Sequence, residues 1–174
     1  MHRRSDARTP FRPDAVTHAL SIDVEDWYHD AAGPVAAPVE GRVEANTLHL
    51  LDILATQRVR ATFFFLGEVA ERFPGLARRV SDAGHEIGSH GYQHQRVMQM
   101  TRGEFRTDVA RSLRAIEDAT GRAVWGYRAP YFSITSARFS LVLKTERIVI
   151  SVAPPFSTKV TVESHTPPGL NSKE

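Results

Sequence analysis

The chain has 174 residues, of which 41% are hydrophobic, and this size is enough for one domain with a packed core. Its 22 basic and 20 acidic residues give a formal net charge of +2, so the overall charge does not indicate a nucleic-acid or membrane-surface partner. The absence of cysteine excludes disulfide bonds and thiolate ligands, so any metal must be held by histidine, aspartate or glutamate.

The N-terminal segment is basic but has no features of a targeting signal. Residues 1–16 are rich in arginine, and no apolar segment of the signal-peptide type follows them. No run in the sequence reaches the roughly 20 apolar residues that a membrane-spanning helix needs. We therefore expect residues 1–16 to be a disordered lead-in and the protein to be cytoplasmic.

Apolar runs with the composition of strands alternate with helical patterns along the chain. The second predicted strand carries apolar or aromatic side chains on both faces, which is typical of a central strand covered on both sides. Alternating strands and helices predict an α/β fold with a parallel sheet and right-handed crossovers. The predicted strands are 16–22, 60–67, 85–89 and 125–128, and the predicted helices are 44–57, 68–73, 75–83 and 101–119.

Polar groups that suit catalysis lie at the ends of three predicted strands. Asp23–Asp26 follows the first strand, His90–His94 follows the third, and Arg128–Tyr131 ends the fourth. Because parallel α/β sheets bind ligands at the carboxyl ends of their strands, we expect these three segments to lie at the same edge of the sheet.

His90 and His94 are four residues apart in a segment that begins at Gly84. One helical turn after Ser89 would place both imidazoles on one side of the chain, where they could bind one divalent cation such as zinc. Taken alone the pair is a weak signal, because two of eight histidines can fall at this spacing by chance on a solvated surface.

Four motifs follow one another between residues 20 and 134: Ser21-Ile22-Asp23-Val24-Glu25-Asp26, Ala61-Thr62-Phe63-Phe64, Gly84-His85-Glu86-Ile87-Gly88-Ser89-His90-Gly91-Tyr92-Gln93-His94 and Arg128-Ala129-Pro130-Tyr131. Together they resemble the NodB-homology polysaccharide deacetylases of carbohydrate esterase family four, close to the branch found with bacterial exopolysaccharide loci. The resemblance implies a distorted (β/α) barrel, usually of seven strands, and metal-dependent removal of N- or O-acetyl groups from sugar polymers.

The resemblance also implies roles for individual residues. His90 and His94 would be the two imidazole ligands of a divalent metal, zinc in the first place, with cobalt or nickel as alternatives. Asp23 would be the general base that accepts a proton from water, and Arg128 would pair with it and hold it ionised. Tyr131 would line the site, with its backbone N–H facing the oxyanion.

The sequence leaves the acidic metal ligand open. Many members of the family have an aspartate directly after the base, whereas this chain has Glu25 and Asp26 two and three positions after Asp23. The alternation of side chains at the end of a strand puts Asp23 and Glu25 on one side, which favours Glu25. Outside a catalytic site, Asp23 and Glu25 could instead cap a helix, Arg128 could form a structural ion pair, and Tyr131 could be an ordinary turn residue.

The other histidines of the chain have weaker assignments. His85 begins a predicted strand rather than ending one, so we expect it to be structural. The sequence suggests no partner for His18, His29 or His49.

The C-terminal segment differs from the rest of the chain in composition. All three lysines lie in the last 31 residues, whereas the chain before them uses arginine alone as its strong base. We expect residues 136–174 to be an atypical tail, frameshifted or disordered, and residues 17–135 to be the N-terminal portion of a deacetylase domain whose C-terminal strands are missing or replaced. Two later motifs of the family are missing, and His165 follows no strand signal, so we do not assign it the role of general acid.

The sequence thus predicts a hydrolase of carbon–nitrogen bonds other than peptide bonds, acting on a polysaccharide or oligosaccharide. One alternative is a hydrolase of a small amide on the same fold. The other is an inactive module that binds metal or glycan, which the missing general acid favours. We expect no nucleic-acid partner and no membrane span, and the sequence does not determine the polymer or the oligomeric state.

Overall fold

Five parallel strands form one sheet in the computed structural model, which describes residues 19–30, 41–134 and 149–151. The strands lie side by side in sequence order, and each neighbouring pair is parallel. The predicted parallel α/β fold is therefore confirmed, and the carboxyl ends of the strands meet at one edge. The strands are β1 (Ser21–Val24), β2 (Thr62–Phe65), β3 (Glu86–Ser89), β4 (Gly126–Arg128) and β5 (Val149–Ser151).

Helices connect the first four strands. In chain order they are α1 (Val43–Gln57), α2 (Gly67–Arg72), α3 (Pro74–Asp82) and α4 (Arg102–Thr120), and short 3-10 turns cover Trp27–Asp30, Val97–Gln99 and Pro130–Phe132. At the start of α4, Thr101 Oγ1 accepts a hydrogen bond from Glu104 N–H, and the Glu104 carboxylate accepts one from Thr101 N–H. None of the helices in the described part of the chain combines the length and the apolar composition that crossing a membrane requires.

The core forms around β2, which lies between β1 and β3. Phe63 and Phe65 are fully buried on one face, and Phe64 on the other face is 5% exposed. Both faces are therefore covered, as the apolar pattern predicts. The Phe64 ring lies against β3, where a Cβ added at Gly88 would come within 2.6 Å of it. Glycine at that position lets the ring lie directly on the strand.

The first strand differs from its prediction. β1 runs from Ser21 to Val24 rather than over residues 16–22, so Asp23 lies inside the strand and Glu25 comes directly after it. Asp23 interrupts the apolar run, so the sequence pattern places the end of the strand too early. Backbone pairing with β2, which continues to the last residue of β1, decides where the strand ends.

The predicted helical turn after Ser89 is wrong. Residues 90–96 form an irregular loop, in which Gly91 has φ 80° and His94 has φ 57°. Both values lie in the left-handed region, which is uncommon for a residue with a side chain. The loop, rather than a helix, brings the two imidazoles together.

β5 lies within the segment predicted to be an atypical tail. Its backbone pairs with β4, and Arg128 is opposite Ser151. This fifth strand is not among the four that the sequence predicts. The proposed division of the chain stays a prediction, because the lead-in 1–16, His18 and the rest of the tail with His165 lie outside the described residues.

Candidate metal centre

Glu25, His90 and His94 converge at the carboxyl edge of the sheet. Glu25 follows β1, His90 follows β3, and His94 lies in the loop after β3. One possible donor atom of each residue lies within 4.8 Å of those of the other two. Glu25 Oε2 is 3.0 Å from His94 Nε2 and 3.9 Å from His90 Nε2. Two imidazoles and a carboxylate form a donor set that zinc and related divalent ions bind.

Backbone carbonyls behind the two imidazoles orient them. His90 Nδ1 donates a hydrogen bond to the carbonyl of Arg128 at 2.8 Å, and His94 Nδ1 donates one to the carbonyl of His29 at 3.2 Å. Because a carbonyl only accepts, each Nδ1 carries a proton, so in the neutral form of each ring Nε2 is unprotonated and faces the cluster. Histidine ligands in metal sites are commonly oriented in this way.

The chemistry of the cluster fits a cation. Glu25 Oε2 is buried and has no hydrogen-bond partner among the described residues. The Nε2 lone pair of His94 faces this oxygen at 3.0 Å, so two electron-rich atoms lie in contact unless a proton or a cation is between them. A divalent ion would satisfy the carboxylate and both imidazoles together.

The protonation states of these groups also suit metal ligands. Burial lowers the pKa of His90 below its ordinary value, although the charge of Asp23 and the Arg128 carbonyl act in the opposite direction. Burial by itself would raise the pKa of Glu25, but the adjacent His94 and His90 bring it below its ordinary value. Near neutral pH the cluster therefore presents a neutral imidazole at His90 and an ionised carboxylate at Glu25.

Asp23 and Arg128 form an ion pair beside the cluster. Arg128 Nη1 donates to Asp23 Oδ1 at 2.7 Å, and Nη2 donates to Ser21 Oγ at 2.6 Å. The guanidinium carbon is 4.1 Å from the centre of the Phe64 ring, and this stacking fixes its plane. Asp23 Oδ2 is 3.9 Å from His90 Nε2. The pairing expected from the sequence is present, and the second oxygen of Asp23 lies on the side of the metal cluster.

Asp26, the alternative acidic ligand, lies outside the cluster. Its Oδ2 accepts hydrogen bonds from Arg42 N–H at 2.7 Å and Val43 N–H at 3.0 Å, and its Oδ1 accepts one from Trp27 N–H at 3.1 Å. A Cβ at Gly41 would come within 2.7 Å of Oδ2, so glycine there permits the approach. Asp26 thus anchors the start of α1 to the end of β1. This geometry favours Glu25 over Asp26 as the acidic metal ligand.

Tyr131 lies at the rim of the site, in the 3-10 turn after β4. Its ring centre is 4.6 Å from that of His94, and the guanidinium carbon of Arg96 is 3.9 Å from the Tyr131 ring centre. The Tyr131 backbone is left-handed, with φ 54°, and the residue is 38% exposed. Its position agrees with the expectation from the sequence, whereas the role of its backbone N–H stays a prediction.

Sequence reasoning missed three residues that support the ligands, namely His29, Glu68 and Asp108. The Asp108 carboxylate on α4 accepts hydrogen bonds from Tyr92 N–H at 3.1 Å, between the two histidine ligands in the chain. Burial raises the pKa of Asp108, although this backbone contact opposes the effect. The only signal in the sequence is the position of Asp108 beside the apolar stripe of α4. His29 and Glu68 carry no local signal, because their partners are distant in the chain.

Known proteins resemble this chain over a stretch much longer than the candidate metal centre. Residues 32–146 match the family model for polysaccharide deacetylases. The chain is 36% identical over 88 residues to a peptidoglycan-N-acetylglucosamine deacetylase of Bacillus cereus, covering 51% of this chain and 32% of that protein. It is 35% identical over 105 residues to a chitooligosaccharide deacetylase of Sinorhizobium fredii, covering 60% of this chain and 44% of that protein. The chain therefore spans less than half the length of these two relatives.

A solved structure supports the same relationship. The family 4 carbohydrate esterase from Streptomyces lividans, in complex with acetate, aligns with a TM-score of 0.60 and 26% identity, over 79% of this chain and 64% of that one. The fold of this chain thus resembles part of that structure. Because the family match covers more than half of the chain, this protein belongs to the polysaccharide deacetylase family.

Proposed function

We propose that the protein is a metal-dependent hydrolase that removes acetyl groups from an N-acetylated polysaccharide. The observation that carries the proposal is the convergence of Glu25, His90 and His94 beside the Asp23–Arg128 ion pair. The deacetylase relatives support the same reaction.

In this proposal Glu25, His90 and His94 hold one divalent cation, with zinc as the first candidate. The chain has no thiolate, and two imidazoles with one carboxylate are a three-ligand set that catalytic zinc sites use. When bound, the cation supplies Lewis acidity that polarises the acetyl carbonyl and eases deprotonation of water.

Asp23 is the proposed general base. Arg128 holds its Oδ1 at 2.7 Å, so Oδ2 is left to take a proton from the water that attacks the acetyl carbon. The carbon–oxygen bond forms as the carbonyl π bond opens. The proton that Asp23 takes from water is then the one that the leaving nitrogen receives, and the carbon–nitrogen bond breaks to give an amine and acetic acid, which ionises to acetate. Tyr131, in contact with His94, is proposed to direct its backbone N–H to the developing oxyanion.

The proposed substrate is a polymer of acetylated amino sugars, with exopolysaccharide as the first candidate and an O-acetylated polymer as the alternative. The names of the relatives specify peptidoglycan N-acetylglucosamine and chitooligosaccharides. The motif resemblance to the exopolysaccharide branch favours a polymer of that kind for this chain.

Acetate release by the full chain from a chitin oligomer tests the proposal. We expect zinc-dependent release that EDTA abolishes, and Asp23→Asn should lower the rate about 10²–10⁴-fold while zinc affinity is kept. Release that is unaffected by Asp23→Asn would contradict the assigned base.

A second candidate is an inactive module that binds metal or glycan, which the lack of a general acid of the family's kind between residues 20 and 134 favours. Zinc binding without acetate release from any acetylated oligomer would support it. Hydrolysis of a small amide, but of no oligomer, would instead indicate the hydrolase of small amides.

A further inference from the structure

His29 and Glu68 form a contact behind the metal centre. His29 lies in the first 3-10 turn, Trp27–Asp30, and Glu68 is the second residue of α2. His29 Nε2 is 2.9 Å from Glu68 Oε1, with the His29 side chain 5% exposed and the Glu68 side chain 34% exposed. The contact joins two segments that are 39 positions apart in the chain.

Hydrogen bonds decide which nitrogen of His29 carries the proton. Asp26 N–H donates to His29 Nδ1 at 2.7 Å, which is shorter than the 3.2 Å between Nδ1 and the Asp26 carbonyl, so in the neutral ring Nδ1 is the acceptor. Nε2 therefore carries the proton and donates to Glu68. His29 N–H also donates to the Asp26 carbonyl at 3.0 Å, which closes the turn. The imidazole is held at both nitrogens, so the backbone of the turn has little freedom.

The carbonyl of His29 is the acceptor that orients His94. His94 Nδ1 donates to it at 3.2 Å. Glu68 contacts the ligand loop as well, because its N–H donates to the Tyr92 carbonyl at 3.2 Å. Glu68 thus links the turn that orients His94 to the loop that carries His94.

We propose that His29 and Glu68 are positioning residues that hold His94 in the orientation required for metal binding. The inference rests on the proposed function, because it takes Glu25, His90 and His94 as the metal ligands. Removing the partner that orients a histidine ligand typically lowers metal affinity 10–100-fold.

Zinc affinity, measured on the full chain by competition with a chelator, is the first test. We expect Glu68→Ala to weaken binding about tenfold, and Glu68→Gln, whose amide oxygen still accepts the hydrogen bond, to keep most of the affinity. Glu44→Ala is the matched control, because Glu44 is exposed and is likewise the second residue of its helix, α1. Glu44→Ala likewise removes an acidic side chain from the first turn of a helix, where it interacts with the helix dipole. We expect its zinc affinity to be unchanged.

The tautomer of His94 in the metal-free chain is the second test, read from the NMR shifts of its ring nitrogens. We expect the Nδ1–H form in the wild type and in Glu44→Ala, and a mixture of tautomers in Glu68→Ala. His29→Ala removes the same contact from the other side and should match Glu68→Ala.

The tautomer measurement requires neither zinc nor acetate release. It can therefore contradict this inference even if the proposed function is correct, and support it even if the proposed function is wrong. An unchanged His94 tautomer and unchanged zinc affinity in both alanine variants would overturn the inference. Equal losses of affinity in Glu44→Ala and Glu68→Ala would overturn it as well.

Discussion

Glu25 and Asp26 are neighbouring carboxylates with opposite surroundings. Glu25 Oε2 has no hydrogen-bond partner in the described part of the chain, whereas Asp26 accepts three backbone N–H groups. We expect Glu25→Gln to weaken zinc binding by more than the roughly 10–100-fold typical of residues behind the ligands. The metal-free variant should be slightly less stable than the wild type near neutral pH, because the contacts with His94 and His90 that bring the pKa of Glu25 below its ordinary value are lost. Chelator competition and urea unfolding measure the two effects.

Asp26→Ala should show the reverse pattern. Without the carboxylate, the N–H groups of Trp27, Arg42 and Val43 lose their acceptor, and the free energy of unfolding should fall by about 3 kcal/mol. Zinc affinity of the folded variant should be unchanged. Asp26→Asn keeps one acceptor oxygen and should lie between Asp26→Ala and the wild type in stability. Loss of zinc binding with stability intact would make Asp26 the ligand after all.

His85 joins the starts of two strands and makes their pairing sensitive to pH. Its Nδ1 accepts a hydrogen bond from Ala61 N–H at 3.2 Å, which requires an unprotonated nitrogen. Burial, and then the charge of Arg60, lower the pKa of His85 below its ordinary value. In the unfolded chain a histidine titrates at about pH 6.5, so below that pH the unfolded state binds more protons at His85 than the folded state does. The stabilisation is therefore present above about pH 6.5 and is lost as the pH falls through the folded pKa.

Urea unfolding above and below this pH tests the effect of His85. We expect His85→Gln to lose less unfolding free energy on acidification than the wild type does, because the residue that takes up the extra proton is gone. His49→Gln is the control, since His49 is exposed on α1. Equal pH dependence in His85→Gln and the wild type would contradict the assignment.

The sequence predicts the elements more fully than the loops between them. Strands such as β2 are predictable because their apolar spacing reports burial, and Asp23, His90 and Arg128 are predictable because parallel strands end at one edge. The left-handed loop of His94 is not predictable, because it depends on contacts with α4. A Cβ at Gly91, for example, would come within 3.1 Å of Asp108 Oδ2.

Dependence on contacts between distant segments also explains why the sequence does not decide whether Glu25 or Asp26 is the acidic metal ligand. Alternation along a strand favours Glu25, but only the folded chain brings the start of α1 against Asp26. Likewise, the partners of His29 lie 39 and 65 positions away in the chain. Local patterns carry no information about such distant contacts.

For the molecule as a whole, β5 decides whether β4 is an inner strand or an edge. β5 pairs with all three residues of β4, and Arg128, which holds Asp23, is opposite Ser151. Deleting residues 136–174 should therefore expose the backbone of β4, lower the free energy of unfolding and promote aggregation. Acetate release and zinc binding should both suffer, because Arg128 on β4 holds Asp23 through its side chain and orients the ligand His90 through its carbonyl.

A point substitution separates the loss of β5 from the loss of the whole tail. Ile150→Pro places a residue without an N–H group in the middle of β5 and leaves the rest of the chain intact. We expect it to reproduce the lower unfolding free energy and the lower acetate release of the deletion. If both variants kept the stability and activity of the full chain, the pairing of β5 with β4 would contribute nothing, and residues 136–174 would be a tail outside the domain, as their composition predicts.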